Sequence, residues 1–165
     1  MTLTSAINIP IAAFVFGATI WFFFFQSPYL LKKIGRDAFV PIQMQLTVLL
    51  FNVLLILTTA LFINTIVHNK INSNVFISAG IVLLGTAINK FFIIPKALRA
   101  GGSGLKEVKG ENNKGTVANF ASLGVGSKTK VLHRLVVVFV VVMLAGTIWH
   151  GLTLLTYITN LQHGI

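Results

Sequence analysis

The chain has 165 residues, of which 55% are hydrophobic and only 10% charged, with a net charge of +10. A chain this short buries only about two-thirds of the surface its unfolded form exposes, so a mean hydropathy of +0.87 excludes a water-soluble globule and calls for acyl chains as the solvent. The absence of cysteine excludes disulfides, thiolate metal sites and thiol redox motifs.

The first uncharged run extends from Met1 to Leu31. A hydrocarbon core about 30 Å thick requires about 20 apolar residues of α-helix, which places span 1 at 9–28. No Lys or Arg precedes Ile9 and no A-x-A pattern follows Phe25, so this segment is expected to be a true span and not a cleaved signal. Ala13, Gly17 and Trp21 recur at i, i+4, i+8 on one helix face, where small residues let a neighbouring helix approach closely. The first connection then holds Lys32, Lys33, Arg36 and Asp37.

Span 2 is placed at 43–67. Gln43 and Gln45 sit near its entry, Asn52 is deeper, and Asn64 lies near its exit. An unpaired amide at the depth of Asn52 costs several kcal/mol in principle, so Asn52 is expected to bond across to another helix. Lys70 alone marks the second connection, beside His68.

Span 3 is placed at 75–94. It carries the small residues Gly80 and Gly85, then Asn89 as a further candidate for interhelical bonding or partner contact. Lys90, close to Pro95, is expected to snorkel to the interface. The third connection, 96–130, is the one extended polar stretch. It holds Lys96, Arg99, Lys106, Lys109, Lys114, Lys128 and Lys130, with Arg134 at the entry to the next helix. Gly101-Gly102-Ser103-Gly104 and 109–115 read as flexible loop. Val117, Phe120 and Leu123 are spaced for a short helix that either lies in the interface or covers the end of the bundle.

Span 4 is placed at 131–158, with Ala145 and Gly146 as further packing residues. His150 is expected at the far interface beside Trp149 and Tyr157, in an aromatic belt. His133 lies about 25 Å away along the same helix, so the two cannot share a metal. No metal site and no cofactor are expected.

Runs such as Phe22-Phe23-Phe24-Phe25 and 136–142 are apolar all round. Barrel strands alternate apolar and polar residues instead, so the spans are expected to be helices. The expected fold is an all-α, four-transmembrane-helix bundle forming one membrane domain over 1–165. Connections one and three, with Arg134 at the entry to span 4, hold every Lys and Arg except Lys70 and Lys90. The positive-inside rule therefore puts them in the cytosol and both termini on the luminal or exterior side. The same residues, Lys32, Lys33, Arg36, Lys96, Arg99, Lys128, Lys130 and Arg134, set the topology and can meet anionic lipid headgroups.

The basic residues form no groove-reading helix or stacking platform, so nucleic acid is not an expected partner. The three acidic residues, Asp37, Glu107 and Glu111, all lie in connections, and no nucleophile–base constellation or nucleotide fingerprint occurs. An enzyme is not expected. Nor is a proton-coupled pump, which relies on an intramembrane carboxylate.

The block Gly17-Ala-Thr-Ile-Trp21, then Phe39 and Gln43-Met-Gln-Leu46, resembles the transmembrane protein 205-like family. Ile93-Ile94-Pro95, the long polar connection and an apolar last span match its general layout. The resemblance implies a four-helix protein of endomembranes, the endoplasmic reticulum among them, or of the cell surface, without an established biochemical activity. An association with platinum-drug resistance comes with that family. Soft metals favour thiolate and thioether ligands, and three methionines with no cysteine make a metal-transport role a poor expectation here. The function expected is that of a non-enzymatic membrane protein acting through lipid or partner contacts, as a small or accessory subunit of a larger membrane assembly. A carrier or channel for a small solute is the second reading.

Overall fold

The computed structural model describes residues 3–67, 73–97 and 127–163, all helical. Helix α1 spans Leu3–Ile20 and passes through a π-helical turn, Trp21–Gln26, into α2, Ser27–Val67. Helix α3 spans Ser73–Ile88 and continues through a second π turn, Asn89–Ile93, to Ala97. Helix α4 spans Ser127–His163. Among the described residues, four stretches are long and apolar enough to cross a membrane: span 1, Ile7–Gly35; span 2, Ala38–Val67; span 3, Ser73–Ala97; and span 4, Arg134–Asn160.

The two π turns have one cause. Proline removes a backbone donor, and its ring clashes with the carbonyl four residues earlier. Pro28 and Pro95 each follow a π turn at the same distance, and the helix runs through both. Widening the preceding turn moves the obstructed carbonyl aside and lets the helix bend without breaking. At Ser27 both the backbone N–H and the hydroxyl donate to Phe22 O, the latter at 2.7 Å.

The chain reverses between spans 1 and 2 at Gly35, whose φ of 74° and ψ of 167° break α2. That left-handed conformation is open to glycine alone at low cost. A loop expected between residues 28 and 43 is therefore helix on both sides of one residue, and Lys32 and Lys33 ride on the helix end.

Residue pairs give the register. Ser27 bonds Gln43, and Asn8 bonds Asn64 and Thr65, so spans 1 and 2 are an antiparallel hairpin centred on Gly35. Ser78 pairs with His150 and Thr86 with Met143, so spans 3 and 4 are antiparallel as well. Around the bundle the neighbours are spans 1 and 2, 2 and 3, 3 and 4, and 4 and 1. The centre is filled by Val15, Phe51, Leu54, Val82, Val140 and Met143, all nearly or fully buried.

The second hairpin repeats the first. Residues 8–28 and 75–95 align in sequence without a gap: Ala12 with Ala79, Val15 with Val82, Thr19 with Thr86, Phe24 and Phe25 with Phe91 and Phe92, and Pro28 with Pro95. Burial repeats with identity. Both alanines, both valines and both threonines are buried, and all four phenylalanines are exposed. Each threonine donates to the carbonyl of its valine, at 2.6 and 2.8 Å. In spans 2 and 4 the buried residues Phe51, Leu54, Thr58, Leu61 and Thr65 have the spacing of Val140, Met143, Thr147, His150 and Leu154. Spans 1 and 3 point the same way, so the hairpins are related by a pseudo-two-fold axis along the bundle, the arrangement of parallel transporter repeats.

Small residues close the second hairpin. A Cβ on Gly85 would lie 3.5 Å from Met143 Cβ, and one on Gly146 would lie 3.1 Å from side-chain methyls of both Ile81 and Val82. Gly80 faces Phe62 across the span 2–3 contact, at 3.6 Å. The expected face of span 1 does not do this. Ala13 and Gly17 are exposed, nothing lies within 4 Å of a Cβ on Gly17, and Trp21 is 62% exposed. Span 1 instead turns Ala12, Val15 and Thr19 inward. Overpacking a tight helix contact costs about 1–3 kcal/mol, whereas outward positions change stability by about 0.5 kcal/mol or less. Gly146→Leu should therefore lower the thermal midpoint of the detergent-solubilised protein clearly, and Gly17→Leu should leave it nearly unchanged, as read by tryptophan fluorescence.

Candidate functional site

Lys32, Lys33, Lys96 and Arg134 are exposed at one end of the bundle, which is called the basic end below. Lys33 Nζ lies 5.8 Å from the ring centroid of Tyr29. Arg99 lies outside the described residues, as do the side chains of Arg36, Lys128 and Lys130 and the stretch 117–125.

Just inside the basic end, Gln43 Nε2 donates to Ser27 Oγ at 2.6 Å and ties the two arms of the first hairpin, while Gln43 Oε1 is buried without a partner. Gln45 is exposed. Asn89 is fully buried but does not reach a neighbouring helix. Its Nδ2 donates to the Gly85 carbonyl of its own helix at 3.2 Å, and its Oδ1 has no partner. It stands at the first position of the π turn, where the backbone ladder changes step, and the nearest acceptor belongs to its own helix.

Lys90 does not snorkel. Its Nζ donates to Asn52 Oδ1 across the span 2–3 contact. Asn52 is exposed and Lys90 half-buried, and Phe91 and Phe92, which follow Lys90 in sequence, are exposed. Asn52 lies midway along Ala38–Val67, so the pair sits deep in the apolar belt and on its outer surface.

The opposite half of the bundle holds two polar clusters. Asn8, fully buried, donates from Nδ2 to Thr65 Oγ1 at 3.0 Å and accepts on Oδ1 from Asn64 Nδ2 at 2.7 Å. Asn8 escaped the sequence reading because the hydropathy boundary fell at Ile9. The signal that could have found it is an amide set at the core spacing of Ala12 and Val15.

His150 is buried, not in an interfacial belt. It occupies the core position after Val140, Met143 and Thr147, with Nδ1 3.0 Å from Ser78 Oγ. The Ser78 hydroxyl donates to Val75 O at 3.0 Å, so its oxygen is left to accept from the ring. That assigns the proton to Nδ1 and leaves Nε2, which has no partner, as a bare lone pair. An unmet lone pair is the cheaper half of an imidazole to strand. Among the described residues no three His, Asp or Glu side chains gather as a metal site would require.

Four apolar helices with a packed interior define the class, a multi-pass integral membrane protein. The chain belongs to the family of the domain of unknown function DUF4149, which it matches over residues 11–104. That stretch contains the first hairpin from Ile11 onward and span 3, with Gln43, Asn52, Ser78, Asn89 and Lys90, and stops before span 4. No curated protein and no solved structure matches the chain.

The Ser78–His150 contact yields a stability test. Removing one partner of a buried pair strands the other at about 1–3 kcal/mol, whereas replacing both with apolar groups is nearly neutral. Ser78→Ala should lower the thermal midpoint in detergent, and Ser78→Ala combined with His150→Leu should recover most of the loss.

Proposed function

We infer that this chain is a non-enzymatic membrane protein that works through contacts made within the bilayer, as a small or accessory subunit of a larger membrane assembly. The observation that carries this reading is the outward-facing Lys90–Asn52 pair. A charged side chain at the centre of a helix in lipid costs about 2.5–3.5 kcal/mol on insertion scales, and a lone chain gains nothing from bearing it on its outer face. The exposed Ala13 and Gly17 beside Phe14 and Trp21 support the same reading, as a second helix surface left uncovered by the chain itself.

In this reading the basic end faces the cytosol, by the asymmetry of Lys and Arg, and both termini face the lumen or exterior. Lys32, Lys33, Lys96 and Arg134 are placed to meet anionic headgroups there. The similarity of 17–46 to the transmembrane protein 205-like family favours an endomembrane, with the endoplasmic reticulum first.

A carrier or channel for a small solute is the second reading, and the buried polar residues favour it. Asn8, Thr19, Thr58, Thr86, Asn89, Thr147 and His150 are all at most 4% exposed. Weighing against it, the threonine hydroxyls are bonded to carbonyls of their own helices, several at 2.6–2.9 Å, and Phe51, Leu54 and Met143 pack between the polar levels. A solute path would require the hairpins to part.

Native mass spectrometry of the affinity-purified chain in mild detergent tests the preferred reading. A second membrane protein in stoichiometric ratio is expected. A lone monomer that stays folded in every mild detergent and lipid, and that moves solute when reconstituted alone, would overturn it.

A further inference from the structure

The repeat supplies a comparison inside one molecule for the outward-facing lysine. Under the correspondence of the two hairpins, Lys90 falls on Phe23 and Asn52 on Val141. The contact that Lys90 makes with Asn52 between spans 3 and 2 thus corresponds to the place of Phe23 and Val141 between spans 1 and 4. The same fold, at the equivalent position, is complete with two apolar residues. The polar pair is not a requirement of the bundle.

Its charge and depth describe what it meets. No Asp or Glu occurs within any span, the acidic residues of the chain being Asp37, Glu107 and Glu111, so no span supplies Lys90 with a counter-charge. The ammonium is also not extended toward the headgroups. Lys90 precedes Lys96 by about 9 Å along the helix, and Nζ is held by Asn52 at the middle of span 2. A lipid phosphate belongs at the level of Lys96 and Arg134, whereas a side chain on another transmembrane helix can stand at the level of Asn52. The outer surface around it is apolar, with Phe91, the next residue of the helix, exposed.

We propose that Lys90, positioned by Asn52, is the docking point for a partner's transmembrane helix that carries a carboxylate at mid-membrane depth. This proposal rests on the partner-binding reading above and names the chemistry of that partner. Asn52 orients the ammonium with its side-chain oxygen, and its amide nitrogen remains to donate to the incoming carboxylate beside it. The ion pair forms where no water screens it, so it selects both the partner and its register along the helix.

The test uses the full-length chain, donor-labelled and reconstituted in phosphatidylcholine vesicles, and acceptor-labelled Leu/Ala model transmembrane peptides with either Glu or Gln at their midpoint. Gln can hydrogen-bond as a neutral carboxyl does, so the difference between peptides reads the charge. Energy transfer should show the Glu peptide binding about tenfold more tightly than the Gln peptide, a modest value for a desolvated charge pair. The preference should vanish in Lys90→Phe combined with Asn52→Val, which restores the apolar residues of the other repeat and is therefore compatible with folding. It should persist in Lys90→Arg. Equal binding of the two peptides to the wild-type chain would overturn the proposal. So would Lys90-dependent enrichment of phosphatidylglycerol around the chain with no preference for Glu, which would make the site a lipid-phosphate site. If the double variant still co-purifies with a stoichiometric partner, the carboxylate proposal fails while the subunit reading stands. If no partner is found for either form, the subunit reading fails by itself.

Discussion

In hydrocarbon no water competes for a polar group, so each backbone or side-chain donor must be closed by the protein. The irregular features of this bundle follow from that constraint. Pro28 and Pro95 run through their helices because π turns reposition the carbonyls they obstruct. Ser27 sends both of its donors to Phe22 O at such a turn. Buried threonines return their hydroxyls to their own helices, so the core accepts a polar residue without asking a neighbour to satisfy it. His150 Nδ1 is met by Ser78 Oγ at 3.0 Å.

The same solvent removes the hydrophobic drive between helices, since lipid tails are as apolar as leucine side chains. What remains is contact at short range and a few interhelical bonds. The second hairpin closes through Gly85 and Gly146, and the first through Ser27–Gln43 and Asn8–Thr65. One architectural unit is thus held by two different means. Hairpin one is pinned at both ends by amides, whereas hairpin two is packed along its length and bears its polar bond between Ser78 and His150.

Length and apolarity made the number of crossings legible in the sequence, because both are summed over many residues. Register was not legible, because it depends on which face of an all-round apolar helix turns inward. Ala13, Gly17 and Trp21 share one face at i, i+4, i+8, but Ala12, Val15 and Thr19 share another at equally good spacing, and the second is the buried one. His150 was misplaced for a related reason. Its position near the helix end suggested an interface, while its spacing from Met143 and Thr147 puts it in the core. The turn at Gly35 was hidden because one residue in a left-handed conformation does the work of the loop expected there. The repeat was hidden because its shared residues are common ones, and they carry weight only when burial and pairing repeat with them.

Once the repeat is known, differences between its halves become informative. Phe22 and Asn89 occupy equivalent buried positions at the start of the two π turns, Ser27 corresponds to Ile94, and Leu61 to His150. Most of these exchanges stay inside the protein, where a local acceptor answers each polar group at least in part. The exchange of Phe23 and Val141 for Lys90 and Asn52 is different in kind, because it places a cation on the surface that acyl chains cover. A bond from Asn52 spreads that charge but does not neutralise it, since an amide oxygen supplies a dipole and not an anion. No residue of the four spans supplies the anion that would relieve that electrostatic deficit. Lys32, Lys33, Lys96 and Arg134 stand at the ends of their spans, whereas Lys90 is the cation held by a side chain midway along one.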